Sequence, residues 1–202
     1  MALQNRVDPF GDIVAVPYRG TMMGNRGRLH DRDRRIVRAR HLNRWLCCAL
    51  TFRGRHRTVM SPRGYTELFF LDEATALAAG HRPCSECRHS AYQRFRRAWL
   101  DAGLSAELPR AAAIDARLAS DRGADHTPIV PLGELPDGVL VQHEGDPHLL
   151  WDRQLHRWDW TGYHAPDSSR AQLGSVRVLT PRATVDTIHA GYPVTVHPTA
   201  LV

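Results

Sequence analysis

Residues 71–88 of this chain read LDEATALAAGHRPCSECR. Asp72 is a good N-cap, the alanine-rich run behind it favours a helix over Glu73–Ala79, and Gly80 is a good terminator. Next comes Arg82-Pro83-Cys84-Ser85-Glu86-Cys87-Arg88, two cysteines two residues apart on a proline-stiffened turn. That spacing is half of a site for a soft divalent metal such as zinc. A thioredoxin-type redox pair needs its motif at a helix N-terminus after a strand, whereas this one follows a helix. The other two cysteines, Cys47 and Cys48, lie 37 and 36 residues upstream of Cys84. Four cysteines gathered into residues 47–87 of 202 point to one site.

Upstream of this segment, Trp45–Arg53 is a strand-like apolar run that carries Cys47 and Cys48. Neighbours on a strand point to opposite faces, so both thiols reach one metal only if the strand is bulged or turned. The expected ligands are Cys84, Cys87, Cys48 and Cys47. Where one of the adjacent pair is instead a core thiol, the fourth position falls to His81, His56 or water. An open fourth position is the mark of catalytic rather than structural zinc.

Composition bounds the rest. A 43% hydrophobic and 24% charged chain of 202 residues is ordinary for a globular protein. No run of about 18 apolar residues is present, which excludes a helical membrane span. Met1–Asp12 lacks an apolar signal core, so the cytoplasm, where thiols stay reduced, is the expected location. All 27 basic residues are Arg. Residues 1–100 hold 19 Arg against 8 acidic residues, a balance of +11, and residues 101–202 hold 8 Arg against 13, a balance of −5. The basic half is also the cysteine half, and a polyanion is the expected partner. Arg26, Arg28, Arg34, Arg35, Arg63, Arg82 and Arg88 are the expected phosphate contacts, since a guanidinium grips phosphate in bidentate fashion.

The remaining sequence predicts an α+β fold in two units: an Arg-rich module over residues 1–120 and a β-rich unit with one helix over residues 137–202. Strands are expected at Ile13–Pro17, Arg57–Met60 and Tyr65–Phe70. Residues 25–44 read as a loop or a very basic helix. A helix opening at Ser90 carries Tyr92, Phe95 and Trp99 on one face, and Pro109–Ser120 reads as another. In the second unit, a hairpin over 139–151, strands at Gln154–Trp160, Val176–Leu179 and Val194–Val196, and a helix after Thr180-Pro181 are expected. The catalytic candidates are few: Cys48 as a nucleophile, Glu67 as a general base near the metal, and His30 beside the arginine run.

The stretch from Trp45 to Arg88 resembles the N-terminal zinc-binding domain of the Ada DNA-repair proteins. The likeness rests on Phe69-Phe70, on the run Glu73–Gly80 and on Arg82-Pro83-Cys84-Ser85-Glu86-Cys87-Arg88. It covers roughly 45 residues. It implies a small zinc-bound sheet, a Zn2+ ion held by cysteine thiolates, a DNA-facing surface and a setting in DNA repair. In that family one zinc thiolate also accepts a methyl group from DNA phosphate. Here Cys47 and Cys48 are adjacent, where the family separates its first two cysteines by three residues. The alkyltransferase and helix-turn-helix segments of the family are absent.

Overall fold

A computed structural model of the chain describes residues 2–55, 58–123, 129–166 and 174–201. The fold is α+β, and the described residues form two six-stranded sheets and four α-helices. The first sheet is built from β1 (Arg6–Val7), β2 (Ile13–Val14), β3 (Met22–Asn25), β4 (Leu46–Ala49), β5 (Leu68–Phe70) and β6 (Arg82–Pro83), in the order β2-β1-β5-β3-β4-β6. The second comprises β7 (Ile129–Pro131), β8 (Leu140–His143), β9 (Asp146–Trp151), β10 (Gln154–Asp159), β11 (Gly162–Tyr163) and β12 (Ser175–Val178), in the order β11-β10-β9-β8-β12-β7. No helix of the described residues is long and apolar enough to cross a membrane.

Helix α1 (Glu73–Ala78) is the hub. All six of its residues are buried. Ala76, with Ala79 just beyond the helix, packs on Cys47, Leu68 and Phe70 of the first sheet, while Ala74 and Ala78 pack with Leu140, Leu149 and Trp158 of the second. Small side chains let both sheets close on one helix, which is what the EATALA sequence supplies. Leu77 takes a third direction, into a core with Phe95 of α2 (His89–Asp101), Ile114 of α3 (Ala111–Gly123) and Val185 of α4 (Arg182–His189). The two expected units thus share continuous cores through α1.

Asp72 caps α1 as expected, accepting from Thr75 N at 2.8 Å, and its carboxylate also accepts from the Tyr163 hydroxyl at 2.9 Å and from His197 N at 2.8 Å. Gly80 ends the helix at φ +80. A Cβ there would lie 2.5 Å from Cδ of Arg122. Gly103, after α2, has φ +71 but open space around it. Gly103→Ala is expected to lose about 1–2 kcal/mol from the left-handed backbone alone. Gly80→Ala should lose more, because Arg122 must also move, and urea unfolding of both variants measures the difference.

Several sequence expectations are corrected. Thr58–Met60 forms no strand; Val59 and Met60 are in a turn, with Met60 at φ +52, and residues 56–57 lie outside the described set. Residues 194–196 form no strand; Thr195 N instead donates to the buried Glu73 carboxylate at 3.0 Å. Of the two readings of residues 25–44 the loop holds: residues 26–44 are irregular, pinned by a bridge between His30 and Ile36. Helix α2 begins at His89 without a side-chain cap, so Ser90 opens no capping box. Residues 1–24 read from sequence as an irregular lead-in with one short strand, yet Met22–Asn25 forms β3, which lies between β5 and β4 inside the sheet.

Candidate metal centre

The period-2 alternation of β4 sorts the adjacent cysteines. Cys47 is fully buried among Leu68, Phe70 and Ala76, on the face that meets α1. Cys48 takes the opposite face, together with Leu46 and with Met23 and Asn25 of β3. There its sulfur meets Cys84 and Cys87, and the three Sγ atoms lie within 4.8 Å of one another. Tetrahedral zinc with sulfur at about 2.3 Å places its ligand sulfurs about 3.8 Å apart, so this trio fits as three corners of such a shell. The three cysteines could hold a metal ion.

The turn between Cys84 and Cys87 is held at both ends. Parallel pairing of β4 with β6 sets Cys47 against Pro83, and Cys84 N donates to Cys47 O at 2.9 Å. Arg88 N donates to Cys84 O at 3.1 Å, and Ala49 N donates to Cys87 Sγ at 3.4 Å. These bonds shape the thiols' protonation. Hydrogen bonds from the Cys48 and Cys87 thiols, then from the Cys87 and Glu86 amides, hold Cys84 well below the usual thiol range. Cys48 is pushed far up, first by its bonds to Cys84 and Cys87 and then by burial. One thiolate sharing the protons of two thiols is the expected metal-free form of a cluster that binds a cation by releasing those protons.

Behind the turn lies a second charged layer. The Arg88 guanidinium donates to Cys47 Sγ at 3.2 Å and pairs with the buried Glu73 carboxylate at 2.7 Å. Burial pushes the Cys47 thiol up to about 12 against the pull of Arg88. Cys47 is thus a neutral core thiol that anchors Arg88, and it stands outside the cluster.

The three sulfurs open on a cleft of about 350 Å³. Phe52, Phe69 and Met23 give it apolar walls, and Arg44, Arg55 and Glu67 bring charge to it. Glu67 is buried, and one of its oxygens accepts from Met60 N at 2.7 Å. Arg55 pairs with Glu86, inside the cysteine turn, at 2.7 Å, with both side chains about half exposed.

The other expected site residues fall elsewhere. His81 is fully buried on the α1 side, tucked against Trp45 and Phe70, and its Nε2 accepts from Arg26 at 3.3 Å; it does not reach the sulfurs. His56 lies outside the described residues. His30 is buried with both ring nitrogens engaged, one to Thr66 Oγ1 at 2.7 Å and one to Ser61 O at 3.1 Å, so it staples two loops. Of the seven expected phosphate contacts, Arg28, Arg34, Arg35 and Arg63 are exposed. Arg82 is spent on a buried two-pronged pair with Asp115, at 2.8 and 2.9 Å. Arg26 is buried over Trp45, and Arg88 is bound to Glu73. Basic count alone does not separate these structural arginines from the exposed ones.

Family models, curated proteins and solved structures were compared with the chain. None matches it. The centre is therefore read from its own geometry. Leu50, Phe52, Val59 and Tyr65 also line the cleft, and no motif in the sequence marks them as site residues. Reading β3 as a strand would have placed Asn25 beside Cys48, since it pairs with Leu46. The cysteine turn, expected to follow a helix, also directly precedes α2 and follows β6, which removes one ground against a redox pair. The third sulfur, from Cys48, is what favours a metal.

Proposed function

We propose that this chain is a zinc protein that engages nucleic acid, DNA first, in a repair or damage-response setting, through the cleft above Cys48, Cys84 and Cys87. The observation that carries the reading is the three-sulfur cluster on a cleft edged by Arg44 and Arg55. The likeness of residues 45–88 to the Ada zinc domain supports it, as do the exposed Arg28, Arg34, Arg35 and Arg63. These cations supply affinity for phosphates without reading sequence.

A second reading has its own observation. Three cysteines leave a tetrahedral metal one open position, and the buried Glu67 lines the same cleft. Zinc supplies Lewis acidity at such a position. Glu67 would move a proton there as general base, while the apolar walls of Phe52 and Phe69 thin out water, which is the arrangement of a metal-dependent hydrolase acting on nucleic acid. In the thiol-acceptor variant of this reading, Cys48 is the nucleophile.

Titration of random duplex and single-stranded oligonucleotides at several salt concentrations tests the leading reading. Zinc-loaded wild type is expected to bind with a steep negative salt slope, and Arg44→Gln with Arg55→Gln to flatten that slope by about 1–2. Lack of binding at low salt would reject nucleic acid as partner. Turnover of an oligonucleotide that is lost in Glu67→Gln while binding persists would select the second reading.

A further inference from the structure

A second and larger cleft, of about 520 Å³, lies on the other side of the first sheet. Its walls come from the turn at Pro9–Gly11, from Trp45, from the end of α1 at Ala78 and Ala79, and from residues 178–182 leading into α4. Four arginines line it: Arg26, Arg40, Arg122 and Arg182. Trp45 shares a face with Cys47, so the alternation of β4 sets this cleft apart from the one above the three sulfurs.

Among the described residues, Arg182 alone of these four arginines pairs with a carboxylate, Asp186 at 2.9 Å. The guanidinium carbons of Arg26 and Arg122 both sit over the Trp45 ring, at 3.9 and 4.0 Å from its centroid. Arg26 is 1% exposed. It spends Nη1 on Gly11 O at 2.9 Å and Nε on His81, and its Nη2 has no hydrogen-bond partner. Arg122 donates to Gly80 O at 2.6 Å and Asn43 O at 2.9 Å, which are neutral carbonyls. Among the described residues neither arginine forms an ion pair. Asp8 and Asp12 act on Arg26 only from a distance, and Asp115 is committed to Arg82. Among the described residues the one carboxylate lining the cleft is Asp121, which acts on Arg122 without pairing with it and is taken by Arg117 at 2.9 Å and by Ala183 N at 3.0 Å. Burial and the neighbouring Arg122 hold Arg26 down to about 9, and burial holds Arg122 down to about 10.

A buried cation without an ionic partner is strongly unfavourable, and a fold that holds Arg26 beside the half-buried Arg122 is arranged for an anion. The ring beneath them offsets part of the penalty and fixes both forks in place. Arg40 and Arg182, both exposed, stand at the rim, where they can close on the same anion. We propose that this cleft binds a terminal phosphate, the dianionic phosphomonoester end of a small molecule. Two guanidiniums without an ionic partner match the two negative charges, and a cleft of this volume suits a nucleotide-sized ligand. The site is independent of the metal centre and of its proposed role.

Calorimetric titration of the zinc-loaded full chain with inorganic phosphate, pyrophosphate and adenosine 5′-monophosphate tests this. Arg26→Gln risks the fold, so the informative variant is the surface pair Arg40→Gln with Arg182→Gln. Its control is Arg94→Gln with Arg157→Gln, two exposed arginines that do not line the cleft and that remove the same charge. The expected result is saturable binding of pyrophosphate and the monophosphate, weakened roughly tenfold or more in the cleft pair and unchanged in the control. Equal weakening in both pairs, or no saturable binding by wild type, overturns the proposal. So does binding confined to oligonucleotides lacking a terminal phosphate, which would assign the cleft to the phosphodiester backbone.

Discussion

Cys48→Ser is expected to empty the metal centre, and Cys47→Ser, one residue earlier, to leave it filled. The two side chains leave β4 on opposite faces: Cys48 joins the sulfurs of Cys84 and Cys87, whereas Cys47 sits in the apolar layer against α1 and accepts from Arg88. Losing one of three thiolates should lower zinc affinity by well over the roughly 10–100-fold that changes behind a ligand shell produce. Elemental analysis of wild type is expected to give about one zinc per chain. Cys48→Ser and Cys84→Ser should retain essentially none, and they should lose several kcal/mol of stability together with the binding energy of the ion. Cys47→Ser should keep its zinc and lose about 1–2 kcal/mol, since the hydroxyl can still accept from Arg88 but is a poorer fit among Leu68 and Phe70. Zinc lost from both neighbours alike would mean that β4 twists both thiols onto one ion, and the alternation argument would fail.

The parts of this fold legible in the sequence are those whose signals are local. Asp72, the alanines and Gly80 specify α1 through capping and helix propensity, and the structure agrees to within a residue. Tyr92, Phe95 and Trp99 lie on the buried face of α2. The hairpin of β8 and β9 is where the sequence suggests one, but it turns at Glu144-Gly145, both with positive φ, whereas the expected turn Gly145-Asp146-Pro147 includes two residues of β9. What escaped depends on distant partners. Met22–Asn25 becomes a strand only because β5 and β4 flank it, and β1, β6 and β11 are two-residue strands that no periodicity can announce.

The same division runs through the candidate site. Cysteine spacing marks the turn carrying Cys84 and Cys87, but only the register of β4 against β6 decides which of Cys47 and Cys48 reaches it. The arginines show the limit most sharply. An Arg-rich tract reads as one surface, yet Arg26, Arg82 and Arg88 are interior groups with assigned partners. Their carbonyl, ring and carboxylate partners lie far away in sequence, so composition carries no trace of them.

Glu73→Ala should be among the most destabilising single substitutions, because Glu73 ties the two halves together from a fully buried position. Its carboxylate takes the Arg88 guanidinium at 2.7 Å, the Tyr192 hydroxyl at 2.6 Å and Thr195 N at 3.0 Å. Arg88 belongs to the cysteine turn, while Tyr192 and Thr195 belong to the segment after α4, so a single side chain holds residues separated by more than a hundred positions. Alanine leaves Arg88 a partly buried cation beside a neutral thiol and strips acceptors from two further donors. Breaking one partner of a buried pair in this way costs about 3–5 kcal/mol. Urea unfolding followed by tryptophan fluorescence should show one cooperative transition in wild type and an unfolding free energy lowered by that amount in the variant, seen as a lower midpoint at unchanged slope. Zinc affinity should weaken with it, by about tenfold, since Arg88 directly follows Cys87 and its anchor sets the turn. A loss below about 1 kcal/mol with unchanged zinc affinity would mean that the halves are held by apolar packing around α1 alone, and that the charged layer behind the cysteine turn does nothing to position it.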